Sequence, residues 1–228
     1  MPAASAALSA ASPSQRIDHT MAVPYATIPG TTLPLVELCP LLPAHAEMVK
    51  GWIDDERARP WLDLDSGRQQ METRALYLML TGARCHARLS RAPGGDHFGG
   101  LVCLNDCRNE MGSAGVWGLR GHYGPSVPNS SVAAFLVMLA TGFLDLQREV
   151  IGSWVVDGNQ FSVAMHERLG MKLTGRQRAR HRMNGRLHDR LLFDITRDEF
   201  AERYPDVASE TGRTFAGLRA AETPVAAA

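Results

Sequence analysis

The sequence predicts one α/β domain of the α+β kind, with a mixed sheet that starts antiparallel and a helix packed on it. Three observations carry this. The 228-residue chain is 45% hydrophobic and 21% charged, the balance of a globular domain with a core of its own. Toward the C-terminus two strand patterns meet at Asn184-Gly185, a dipeptide that accepts the positive φ values a two-residue hairpin turn requires. Upstream, Val150 to Met171 runs from a β-branched and aromatic stretch through Asp157-Gly158 into a helix pattern that begins after Asn159 and stops at Gly170.

The elements follow in order. Residues 1–22 are rich in Ala, Ser and Pro without a periodic apolar face, which predicts a disordered leader, with Met21 an alternative start. The domain is expected to span residues 23–204. Thr32 to Leu38 alternates about Leu33, Leu35 and Val36 and predicts a strand, and Ala44 to Asp54 places Met48, Val49, Trp52 and Ile53 at helical spacing. Glu56 to Gln70 is polar apart from Trp61, Leu62 and Leu64, and leads into a helix through Met71, Leu76, Leu78, Met79 and Leu80. Two strands within Arg84 to Asn105 flank the turn Ala92-Pro93-Gly94-Gly95-Asp96, and another follows at Gly115 to Leu119. From Ser130 to Gln147, Val132, Phe135, Leu136, Leu139, Ala140 and Phe143 recur on one helix face, which must be buried. Lys172 to Met183 and Arg186 to Ile195 are the hairpin strands, and Thr196 to Tyr204 is a short helix. Residues 205–228, polar and then Ala-rich, read as a mobile tail that can carry a helix near residues 208–220.

Composition narrows the function. Lys+Arg and Asp+Glu are both 24, so no global field draws the chain to nucleic acid or an anionic membrane. Apolar runs fall well short of the ~18 residues of a membrane span, and the N-terminal segment lacks the order of a signal peptide. With Cys39, Cys85, Cys103 and Cys107 as the cysteines, the expectation is a reduced, cytoplasmic protein. Cys103 and Cys107 have no second Cys or His pair at finger spacing, so no metal is expected. Arg176, Arg178, Arg180 and Arg182 alternate along one strand and so share a face, with Arg186 and Arg190 opposite. A solvated face and a docking surface for an acidic partner both fit that stripe. No G-x-S-x-G elbow marks a serine hydrolase, and nucleic-acid binding lacks the aromatic platforms on which single strands stack.

A strand that ends where a helix begins brings the strand's last carbonyls and the helix's unsatisfied N–H groups to one point, a place to hold a ligand. At that junction Asn159, Ser162, Glu167, Leu169, Gly170 and Met171 fit the pattern N-x-x-S-x-x-x-x-E-x-L-G-[FM]. The chain there resembles the GNAT acyltransferases, especially the branch of ribosomal-protein-alanine N-acetyltransferases. The resemblance implies a mixed, mostly antiparallel sheet with helices on both faces and splayed at a cofactor site, acetyl-CoA or another acyl-CoA as donor, and transfer of an acetyl or other short acyl group to a primary amine. It implies that backbone groups about Gly118 and Leu119 pair with pantetheine as with another strand. Arg120, Gly121 and Gly124 keep part of the family's pyrophosphate loop, and Asn129, Ser130 and Ser131 supply donors at the next helix start. Asn159 and Ser162 complete the cofactor side. The loop departs from the family pattern at Pro125 and Pro128, which carry no N–H.

Three further residues are candidates. His166 stands seven residues after Asn159, where many relatives carry a tyrosine that protonates the departing thiolate; its imidazole titrates near neutral pH, and a structural role is the alternative. Asp189, in the step His188-Asp189, is a candidate for orienting its neighbours. Trp61, over the acceptor side, suits either acceptor contact or the sealing of a gap between helices. The expected partner is a small-molecule or peptide amine, with the protein a monomer or homodimer. Alternatives are a donor carried by an acyl carrier protein, whose acidic surface would meet the arginine stripe, and a non-catalytic binding module of the same fold.

Overall fold

The computed structural model describes residues 27–64, 71–121 and 127–209. The expected leader, the tail from residue 210 on, and Gly124 and Pro125 of the loop lie outside the described residues. Seven strands, β1 (Glu37–Pro40), β2 (Cys85–Arg91), β3 (Phe98–Asn105), β4 (Ser113–Arg120), β5 (Val150–Val156), β6 (Lys172–Met183) and β7 (Arg186–Thr196), form one sheet in the order β1-β2-β3-β4-β5-β7-β6. Neighbours are antiparallel except β4 and β5, which run parallel. This is the mixed, mostly antiparallel sheet that the resemblance implies.

Both faces are covered. Along β3, Leu101 and Cys103 pack with α1 (Ala46–Asp54) and α2 (Thr73–Thr81), whereas Val102 and Leu104 pack with α3 (Ser130–Ala140). That is the alternation of a strand buried on both sides. Every residue of α3 from Val132 to Ala140 is buried, so the apolar face read from the sequence is in fact the whole helix. Beyond α3 the chain widens into a π-helical turn, Thr141–Asp145, rather than continuing as α-helix to Gln147. Gly142 lets this turn pack closely on β5, because a Cβ there would lie 2.5 Å from Ile151 Cδ1.

Other elements match with instructive differences. The first strand begins at Glu37, and upstream, among the described residues, only an isolated bridge, Thr27 with Pro34, is formed; Pro34 has no N–H with which to extend a ladder. The hairpin turn has Asn184 at φ 51 and Gly185 at φ 76, as a two-residue I′ turn demands. Thr196 and Glu199 form a reciprocal capping box on α5 (Arg197–Arg203). A further helix, α6 (Pro205–Ala208), buries Val207 to 2% exposure, so the packed chain continues past residue 204.

The arginine stripe on β6 does not survive as one face. The register shifts between Gln177 and His181, Ala179 takes φ 54, and its N–H donates to Asp189 Oδ1 at 2.8 Å. Arg178 and Arg180 thus sit in a bulge. Arg176 is drawn into ion pairs with Asp157 and Asp189, and Arg190 is buried. Among the described residues no helix is long and apolar enough to cross a membrane, and no group of three or more His, Cys, Asp or Glu could hold a metal ion.

Candidate active site

The sheet splits between its two parallel strands. β4 and β5 pair only from Ser113 opposite Val150 to Gly115 opposite Gly152, after which they diverge. Gly121 N–H donates to Gly99 C=O at 2.8 Å. Bonded positions alternate along an antiparallel ladder, so Leu119 and Trp117 also turn their backbone to β3 while Val116 and Gly118 turn theirs toward β5. On the other side Asp157 N–H donates to Asp189 C=O at 2.9 Å, which assigns Val155 and Ser153 to the β7 ladder and directs the backbone of Trp154 toward β4. Two strand edges therefore face each other across a gap, with peptide groups that require partners.

That gap opens into a cavity of about 760 Å³, walled by both edges, by Trp61, Leu62 and Asp63 from the connection before α2, and by residues of α3 and α4 (Gln160–Arg168). Glycine at Gly118 gives its shape, since a Cβ would meet Leu101 O and Phe135 Cε2, both at 2.7 Å. Gly121 is likewise filled from behind: a Cβ there would lie 2.5 Å from the Trp52 indole.

Two helices point their N-termini at this region. Asn159 caps α4 through Oδ1, which accepts Ser162 N–H at 3.2 Å. Asn129 does not cap α3: it sits at φ 63 and its Oδ1 accepts from the Arg168 guanidinium at 2.7 Å. The first intrahelical bond of α3 runs from Ala133 N–H to Asn129 C=O. The amides of Ser131 and Val132 precede it and point out of the helix end, where the helix dipole favours an anion.

His166 is 3% exposed. Its Nδ1 lies 2.7 Å from Ser162 C=O and its Nε2 2.8 Å from Ser153 Oγ. A carbonyl can only accept, so Nδ1 carries the proton, and in the neutral ring Nε2 accepts from the Ser153 hydroxyl. The rings of Phe193 and Phe135 stand 5.2 and 6.1 Å away. Burial pushes the His166 pKa below the ordinary histidine value, partly offset by the bond to Ser162 C=O.

Near Trp61 the Arg190 guanidinium lies 3.9 Å from the Trp154 ring centroid and ion-pairs with Asp63. His181, 4% exposed, is bonded through Nε2 to Pro60 C=O at 2.7 Å. The connection bearing Trp61 is thereby fastened to the β6–β7 hairpin at two points.

Of the residues singled out from the sequence, Trp61, Gly118, Leu119, Arg120, Ser131, Asn159, Ser162 and His166 line the cavity. Gly121, Asn129 and Ser130 flank it without lining it, and Gly124 lies outside the described residues. Asp189 stands apart from the cavity: the Ala179 amide and the Arg176 guanidinium hold its carboxyl below the usual range. Ser153, Phe135 and Asp63 line the cavity without having been foreseen. Ser153 had a signal, as the one hydroxyl in the apolar run Val150–Val156.

Comparison with solved structures brings acetyltransferases beside this architecture. The spermidine N-acetyltransferase of Vibrio cholerae, in complex with CoA and spermine, aligns with a TM-score of 0.64 and 14% identity over 72% of this chain and 97% of that one. RimJ of Mycobacterium smegmatis, in complex with CoA-disulfide, aligns with a TM-score of 0.60 and 18% identity over 74% and 87%. The fold is the GNAT fold. The split between β4 and β5 is thus the splay expected of a GNAT sheet. The sequence itself matches no family model and no curated protein.

Proposed function

We propose that the chain is a cytoplasmic N-acyltransferase that moves an acetyl or other short acyl group from acyl-coenzyme A directly to a primary amine. The observation that carries this reading is the split sheet: unpaired peptide groups at Gly118 and Trp154 face a cavity that also meets the uncapped N-terminus of α3. An extended amide-bearing chain can complete both edges as an added strand, and its phosphates can take the amides of Ser131 and Val132. Arg120, on the cavity wall, adds a guanidinium. A pantetheine arm ending in a nucleotide has both parts.

The acceptor amine enters from the side of Trp61, where Leu62, Leu64 and Trp154 make an apolar wall. Within the superfamily, the motif from Asn159 to Met171 favours the branch resembling the ribosomal-protein-alanine N-acetyltransferases. An acyl carrier protein as donor takes second place, because the bulge at Ala179 divides the arginine face it would use.

Thermal unfolding with acetyl-CoA, CoA and pantetheine, followed by thiol release over a panel of amines, tests the reading. A ligand at 100 times its Kd raises stability by about 2.7 kcal/mol. Stabilisation by both CoA species and amine-dependent thiol release are expected. An unchanged melting temperature with all three, together with no thiol release, would overturn it.

A further inference from the structure

Gly152 is the last residue of β5 paired with β4, so Ser153 is the first beyond the vertex of the split. Its cross-strand partner, Phe193, belongs to the core beneath α3, and residues directly opposite share a face. The Ser153 side chain therefore stands on the side of α3 and α4, where His166 meets it. A donor laid along the open edges with its phosphates at α3 brings its thioester end to this vertex.

We propose that Ser153 is a catalytic hydroxyl that hands a proton to the departing thiolate, and that His166 is a positioning residue that holds the proton and acts through Ser153. This rests on the acyltransferase reading. The alternative drawn from spacing, His166 as the direct acid, meets an obstacle in the ring itself. In the neutral imidazole the single proton is on Nδ1 and bound to Ser162 C=O, and Nε2 presents a lone pair to Ser153.

The transfer balances without any other reactant. As the acceptor nitrogen bonds to the carbonyl carbon it becomes an ammonium; Ser153 Oγ takes its proton while the hydroxyl proton passes to His166 Nε2. When the carbon–sulfur bond breaks, the proton returns from Nε2 to Oγ and from Oγ to sulfur. One C–N bond forms, one C–S bond breaks, one proton moves from nitrogen to sulfur, and both side chains finish as they began. Ser162 C=O keeps the imidazolium in one orientation throughout.

The groups facing the ring are Phe135 from α3, Phe193 from β7, Ser153 from β5 and Ser162 C=O from its own helix. Burial is the leading influence on its titration, and no charged side chain among the described residues contributes. The imidazolium is thus a ready donor toward a thiolate, whose conjugate thiol holds its proton to about pH 8.5.

The test combines steady-state kinetics of Ser153→Ala and Ser153→Thr, calorimetry with acetyl-CoA, and imidazole ¹⁵N NMR of the wild type. Ser153→Ala should lower kcat by about 100-fold, leave acetyl-CoA affinity within about twofold, and remove the histidine inflection from the pH profile of kcat; Ser153→Thr should restore most of the rate. The NMR spectrum should show His166 protonated at Nδ1 and bare at Nε2. Wild-type kcat and pH profile in Ser153→Ala overturn the relay while leaving the acyltransferase reading in place. A ring protonated at Nε2 alone overturns it without any need for a known acceptor. Failure of the wild type to bind acetyl-CoA or release thiol removes the reading and the relay together. The serine variants decide, since a change at His166 also disturbs the packing of Phe135 and Phe193.

Discussion

The two strand-to-helix junctions beside the cavity look alike in sequence and differ in what they leave undone. At β5 to α4, Asn159 satisfies Ser162 N–H with its own side chain, and the turn closes on itself. At β4 to α3, Asn129 turns its side chain away to Arg168, and the amides of Ser131 and Val132 point outward. Both have Asn at the helix start, so a motif alone rates the first more highly. A self-capped end supports the fold, whereas an uncapped end beside a cavity leaves amides that an anion can take.

Substitutions can break or sharpen that contrast. Gly118→Ala should have the largest effect, because the added methyl meets Leu101 O and Phe135; about 1–3 kcal/mol of stability should be lost, read as a lower urea midpoint. Ser131→Pro removes an amide at a position where a helix tolerates proline. It should weaken acetyl-CoA binding by about tenfold or more, the scale of one hydrogen bond to a charged group, with Ser131→Ala the calorimetric control for the hydroxyl. Asn159→Ala should cost about 1 kcal/mol of stability as a lost cap, with acetyl-CoA affinity of the folded protein nearly unchanged; the reverse ranking of these last two would undo the contrast.

The closed junction also carries a pH signature. His166 has a folded pKa lowered from 6.5, so as pH falls through that value the unfolded chain takes up a proton that the buried ring refuses. Stability is intact above pH 6.5 and declines below it. Urea midpoints between pH 7.5 and 5.5 should fall less in His166→Gln than in the wild type. Least of all, Arg178→Ala and Arg180→Ala, both exposed on the bulge of β6, should stay within about 0.5 kcal/mol of wild-type stability with unchanged turnover.

Much of the fold was legible locally. The caps at Asn159 and Thr196, the Asn184-Gly185 turn and the period of the helices are written in neighbouring residues. What escaped depended on distant ones. The turn after α3 packs on β5 where Gly142 meets Ile151; the bulge at Ala179 answers to Asp189, ten residues away in sequence. The cavity was only half legible for the same reason. Ser131, Asn159 and Ser162 lie in a recognisable motif or loop, but Ser153 becomes a site residue through the register of β4 against β5, which no local pattern encodes. Asp63 gains its place by reaching Arg190 across the hairpin.

Three residue pairs are all that join β4 to β5 in the ladder, so by backbone pairing the sheet is two leaves, β1 to β4 and β5 to β7, held together by one core under α3. A molecule lying in the slot and bonded to both leaves becomes a temporary eighth strand. The edge amides of β4 and β5 beyond that pairing should exchange faster when the slot is empty than when it is filled. Departure of such a molecule would be an unzipping, begun at the open end and finished at Ser153.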